Sequence, residues 1–290
     1  MNENINNTTK KGTDWDLIIV GKNDLFDLKL QQVWKYRDLL LLFVRRDFVA
    51  FYKQTILGPL WYFIQPIFSA LTYLFIFGQL AGLSTDGIPP ILFYLTGVTT
   101  WTYFSDCLLK SSNVFRDSAG LFGKVYFPRL IMPLSVVISN LIRFSIQLSL
   151  LAIVMIYYFI TSDSLHLTWH IILFPVLVIL MASQGLGLGM IISAMTTKYR
   201  DLALLANFGV TILMYATPVV YPLSSLSGNL RLAISLNPMT HILEGMRKSL
   251  LGKGTFDGYS FIYVLFISAF ILVIGTVVYN RVEKNFIDTI

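Results

Sequence analysis

RRDFVAFYKQTILGPLWYFIQPI, residues 45–67, passes within one stretch from a basic, amphipathic face into an apolar run. Paired Arg45 and Arg46, a Tyr52-Lys53 step, Gly58-Pro59, Trp61 and Pro66 follow one another in that order. This is where the chain enters a membrane. Upstream, Arg37, Asp38, Arg45, Arg46 and Lys53 fall on about half of a helical wheel over 37–54, with Leu40, Phe43, Val44 and Phe51 opposite and Asp47 as the misfit. A basic helix that leads at once into a span reads as lying on the inner leaflet, its charges toward lipid headgroups or a partner. Gly58-Pro59 marks the break, since Pro suits the first turn of a new helix.

Working outward, the composition agrees. The 290 residues are 55% apolar and 13% charged, outside the range of soluble domains. The chain is an all-α integral membrane protein with about six spans, near 59–80, 91–113, 134–160, 171–195, 203–222 and 259–280. The organisation is a disordered polar tail (1–14), a cytoplasmic segment with the interfacial helix (15–57) and the transmembrane domain (58–290).

The formal charge of +6 raises the question of a nucleic-acid partner, and its distribution answers no. Nine of the 22 Lys and Arg precede residue 58, and the connections 81–90 and 161–170 contain none. That is the positive-inside pattern for a multi-pass protein of six spans with both termini cytoplasmic. The exception is 223–258, which carries Arg231, Arg247, Lys248 and Lys253 on the outside. This segment is divided at Asn237-Pro238 and contains an amphipathic piece at 240–251, which suits two short helices re-entering the outer leaflet.

Asp106 and Arg143 lie inside spans two and three, about 12–15 Å from the cytoplasmic ends at the helical rise. Charges at that depth must be paired or face water. An Asp106–Arg143 interhelical pair is the first account; contact between Arg143 and an anionic substrate is the second. Aromatic residues make up 14% of the chain. Trp61, Tyr62, Tyr73, Trp101, Tyr103, Phe104 and Tyr215 lie mid-span beside Gln, Ser or Thr, where rings stack on sugar faces and could line a pathway. The alternative for each is a lipid-facing or packing role. Gly185 and Gly189 form a small-xxx-small face for close helix approach.

No phosphate-loop motif, nucleophile elbow or paired-carboxylate motif occurs, and His166 and His170 lack further ligands, so no catalytic residue, metal or cofactor is assigned. The chain cannot hydrolyse ATP alone. A membrane glycosyltransferase would need a convergent polar site on an outer loop, and Asp86, Asp163, Glu244 and Asp257 are scattered.

YRDLLLLFVRRDFVAFYKQTILGPLWYFIQPI (36–67), LFGKVYFPRLIMP (121–133) and NPMTHILEGMRKSLL (237–251) together resemble the type-2 ABC permeases of polysaccharide export: O-antigen, capsule and teichoic-acid exporters. The similarity is greatest to the O-antigen members, which serve lipopolysaccharide biosynthesis. It implies a homodimer bound to two copies of a separate ATPase subunit, and a polyprenyl-diphosphate-linked polysaccharide moving between the protomers. It also implies that 114–127 is the coupling helix, with Phe115, Arg116, Asp117, Leu121 and Phe122 meeting the ATPase, and that the helices in 223–252 are outer gate helices. A drug or lipid extruder of the same architecture is the alternative within transport.

Overall fold

The computed structural model describes residues 30–53, 56–122, 127–161, 168–199 and 201–286. The 1–14 tail, Gln54, Lys124, His166, Arg200 and the side chain of Phe122 lie outside the described residues. Among those described, the chain is entirely helical.

A short helix α1 (Leu30–Lys35) leads into α2 (Arg37–Lys53). Phe43 and Val44 are buried and Leu40 half-buried, whereas Arg37, Asp38, Arg45, Arg46 and Lys53 are exposed, in line with the wheel; the side chain of Phe51 lies outside the described residues. The apolar edge does not simply dip into lipid. It packs along α7, with Phe43 5.8 Å from the Phe127 ring that precedes that helix.

Gly58, at φ +51°, adopts the left-handed conformation that an L-side chain resists, and Pro59 starts a single 3₁₀ turn. From there α3 (Trp61–Tyr73) rises and continues as π-helix to Leu80, making an apolar run of 23 residues from Gly58 to Leu80. Helix α4 (Pro90–Ser112) follows, then two single turns, α5 (Val114–Asp117) and α6 (Ala119–Phe122). The remaining elements are α7 (Ile131–Thr161), α8 (Leu173–Thr196), α9 (Leu202–Tyr215), α10 (Gly228–Ser235), α11 (Pro238–Leu251) and α12 (Gly258–Phe286).

Among the described residues, four helical runs are long and apolar enough to cross a membrane: Gly58–Leu80, Ile131–Thr161, Trp169–Thr196 and Gly258–Val282. The other two expected spans differ for physical reasons. Helix α4 is about 34 Å long but more polar, because every residue from Leu92 to Trp101 is buried inside the protein, including Thr96, Thr99 and Thr100. It is the central helix, packed against α3, α7, α8 and α9. The segment 203–222 is not one helix. Helix α9 stops at Tyr215 after about 21 Å, just before Pro218, which has no amide hydrogen to donate. Beyond it Val219 and Val220 are buried.

Outside α9, Asn237 caps α11 by accepting from the Met239 amide at 3.0 Å, and Pro238 occupies its first position. The two short helices expected between the last spans are thus α10 and α11, joined at Asn237. The three glycines of α8 divide their work. Gly185 and Gly189 press against Cys107 and Ser111 of α4, while Gly187 meets Ile271 and Gly275 of α12.

Candidate substrate-handling site

The charges expected at depth do meet. Arg143 Nη1 on α7 lies 3.6 Å from Asp106 Oδ2 on α4. A closer partner was not anticipated: Lys110, one turn further along α4, donates to the same oxygen at 2.7 Å and to Asn140 Oδ1 at 2.9 Å. The i,i+4 spacing of Asp106 and Lys110 is a helical-pair signal visible in the sequence. Asn140, which gathers them, was missed because nothing local marks it.

The cluster borders a cavity of about 240 Å³ whose wall also includes Tyr62, Gln65, Thr102, Tyr103 and Gln147. Arg143 sits over the Tyr62 ring, its Cζ 5.5 Å from the centroid. A second cavity, of about 360 Å³, shares Lys110, Asn140 and Arg143 and is also lined by Asp47 and Ala50 of α2. Asp47, the misfit of the helical wheel, thereby faces the protein, and its carboxylate is also held by Arg46 at 2.8 Å.

The seven aromatic residues proposed from sequence do not share one surface. Trp61 and Tyr215 are exposed at 42% and 53%. Tyr73 is half-buried, and its hydroxyl reaches the Met214 sulfur at 3.7 Å, linking α3 to α9 beside Tyr215. Tyr62 is buried and turned toward Arg143. Trp101 and Phe104 pack on each other in the protomer core at 5.4 Å, and Tyr103 packs on Phe144 at 4.8 Å while bordering the polar cavity.

Of the basic belt, Arg45 and Lys53 are exposed, Arg37 lies 3.9 Å from Asp38, and Arg46 is engaged with Asp47. In the segment expected to couple to an ATPase, Arg116 and Asp117 are exposed and paired at 3.1 Å, and Leu121 is half-buried. Phe115 points inward, stacked on Tyr279 at 4.4 Å, so it anchors the segment to α12.

A second cluster went unread in the sequence. Arg247 and Glu244 on α11 are both buried, with Arg247 Nη1 3.0 Å from Glu244 Oε1. Arg247 also donates to the Val219 carbonyl at 2.9 Å and lies 3.6 Å over the Phe93 ring of α4. Glu244 accepts from the amide and hydroxyl of Thr255 at 2.9 and 3.1 Å. One ion pair thus joins α11 to the segment that follows α9, to α4 at Phe93 and to the loop before α12. At the end of that loop, Asp257 caps α12 by accepting from the Ser260 amide, and the Ser260 hydroxyl, followed by that amide, holds its carboxyl below the usual range.

The ABC-2 type transporter family profile matches residues 38–251. The chain is 32% identical over 216 residues to the O-antigen export system permease protein RfbA of Myxococcus xanthus, covering 74% of this chain and 80% of that one. It is 27% identical over 252 residues to a protein of the same name from Klebsiella pneumoniae, covering 87% and 94%. It is 25% identical over 237 residues to the polysialic acid transport protein KpsM of Escherichia coli, covering 79% and 87%.

Proposed function

The chain belongs to the ABC-2 type transporter family as the membrane-embedded permease of an exporter, and from that premise we propose that it moves a polyprenyl-diphosphate-linked polysaccharide, an O-antigen, across the cytoplasmic membrane. The observation that carries the glycan is the similarity, over 74–87% of this chain, to permeases of polysaccharide export. Permeases of this family lack ATPase domains and associate with an ATPase subunit. The finer reading is a homodimer with two such subunits and a channel between the protomers. In this reading exposed Trp61 and Tyr215 and half-buried Tyr73, which bonds to Met214 next to Tyr215, are the aromatic residues that meet a sliding sugar chain. Buried Trp101 and Phe104 act as scaffold behind them. Arg116, Asp117 and Leu121 supply the coupling surface that Phe115 anchors.

The membrane arrangement proposed is six crossings. Helix α4 crosses inside the protein, and α9 crosses together with the turn that follows it. Helices α10 and α11 serve as the outer gate, and both termini are cytoplasmic. Reporter fusions test this: a phosphatase active only outside should be silent after Lys53 and after residue 290 and active when inserted at 162–167, and activity at either terminus would refute the topology.

Depleting the chain from its host should abolish surface O-polysaccharide and leave polyprenyl-linked polymer accumulated inside, read by gel and by lipid extraction. Unchanged O-polysaccharide with loss of a capsule instead would favour the second reading, which the similarity to the polysialic acid transport protein motivates. Unchanged surface glycans of every kind would end the polysaccharide reading.

A further inference from the structure

The polar cleft at Lys110 and Arg143 has more chemistry than an interhelical ion pair needs. Among the described residues, two cations face one carboxylate, Asp106, and the other acid on the wall of the joined cavities, Asp47, is already held by Arg46. Asn140, Gln65 and Gln147 add neutral hydrogen-bonding groups on the same wall. A surplus positive charge inside a membrane-embedded bundle is costly unless an anion or water balances it. Arg143 is the most buried of the three charged groups, at 16% side-chain exposure, while Lys110 and Asp106 remain more than a third exposed and so reachable from outside. The second cavity extends the same cleft to the inner side of α2, the basic helix that begins the chain's membrane association.

We propose that this cleft seats the diphosphate of the lipid-linked substrate, which reaches it from the inner leaflet beside α2; the inference rests on the polysaccharide-export reading. A neutral sugar requires no surplus charge, and a headgroup with a single charge needs only one cation. A diphosphate carries at least two negative charges on adjacent groups, matching an ammonium and a guanidinium that converge on one carboxylate. In the empty state Asp106 holds both cations in place. When the ligand enters, its oxygens replace the carboxylate as their partner, so Asp106 acts as a built-in competitor.

That role gives the test its sign. The permease is purified with its ATPase subunit and placed in nanodiscs of phosphatidylcholine. The probe is a polyprenyl diphosphate without sugars, and binding is read as a dissociation constant. Lys110→Gln and Arg143→Gln should each weaken binding roughly tenfold, the scale of one unit charge near a partly exposed site. Arg143→Lys should restore it to within about threefold, since the charge is retained. Asp106→Asn should tighten it several-fold, because the competing carboxylate is gone.

Loss of binding in Asp106→Asn, as large as in the cation variants, would show that the cluster is only structural and overturn the proposal. Unchanged binding in the Lys110→Gln, Arg143→Gln double variant would do the same. So would displacement of the probe by phosphatidylglycerol at equal mole fraction or by inorganic diphosphate at equal concentration, which would mark a bulk-headgroup or free-anion site. Thermal unfolding of each variant shows that it is folded before binding is read. If the unaltered chain exports polysaccharide and the cation variants export and bind as well as it does, the cleft proposal alone fails. If depletion leaves all surface glycans intact, the export reading fails whatever the probe does.

Discussion

Arg247→Leu should cost the permease about 3–5 kcal/mol of stability, the usual penalty for stranding one partner of a buried ion pair. The guanidinium is 1% exposed and serves three acceptors at once: the Glu244 carboxylate, the Val219 carbonyl and the face of Phe93. Removing it leaves Glu244 buried with, among the described residues, Thr255 as its remaining hydrogen-bond partner. The Val219 carbonyl loses its donor in the turn where α9 ends. Glu244→Gln should be damaging by the opposite route, since it keeps the bonds from Thr255 and strands the cation instead. The double variant Arg247→Leu, Glu244→Leu should recover part of the loss, giving a coupling of roughly 0.5–3 kcal/mol in a double-mutant cycle. Thermal unfolding of the detergent-purified protein reads all three. Additive losses would mean that the two side chains stabilise α11 and its neighbours independently, contrary to the geometry.

The chain's architecture was readable where the cause is local. Gly58-Pro59 and Asn237-Pro238 are backbone signals confined to two residues each, and both sit at helix starts. The wheel of α2 predicted its buried and exposed faces because a helix presents its pattern every turn. What failed was any distinction between lipid and protein as apolar surroundings. Hydropathy cannot tell that Trp101 faces protein and Trp61 faces outward, since both surroundings reward the same side chain. For the same reason the sequence placed α4 among equals, when its buried threonines make it the centre. The polar clusters were half legible. Asp106–Lys110 and Glu244–Arg247 stand at i,i+4 and i,i+3 spacing on single helices. Their remaining partners, Asn140 at one and Val219 at the other, are distant in sequence and come into contact only through the fold.

Gly275→Val should remove most of the folded permease, an effect larger than helix propensity predicts. A Cβ at Gly275 would lie 2.4 Å from the Gly187 carbonyl oxygen and 2.8 Å from the Gly187 Cα, both backbone atoms of α8 that no rotamer change can move. The reciprocal position is as tight, with a Cβ at Gly187 falling 2.7 Å from the Ile271 carbonyl. Helices α8 and α12 therefore cross with their backbones nearly touching, which in lipid substitutes close packing for the missing hydrophobic drive between helices. A branched side chain there must force the helices apart, and because Gly185 and Gly189 clamp the other face of α8 onto α4, the helix cannot retreat in that direction. Overpacking of this kind costs about 1–3 kcal/mol where neighbours can relax, and more where they are backbone. Gly209→Ala is the matched control. On α9 nothing within 4 Å would meet its Cβ, so the gain in helix propensity should leave stability unchanged or raise it by up to about 1 kcal/mol. Yield of monodisperse protein and melting temperature measure the contrast. If Gly275→Val behaved like Gly209→Ala, the α8–α12 contact would have to be looser than the geometry requires, and the role assigned to Gly187 would fall with it.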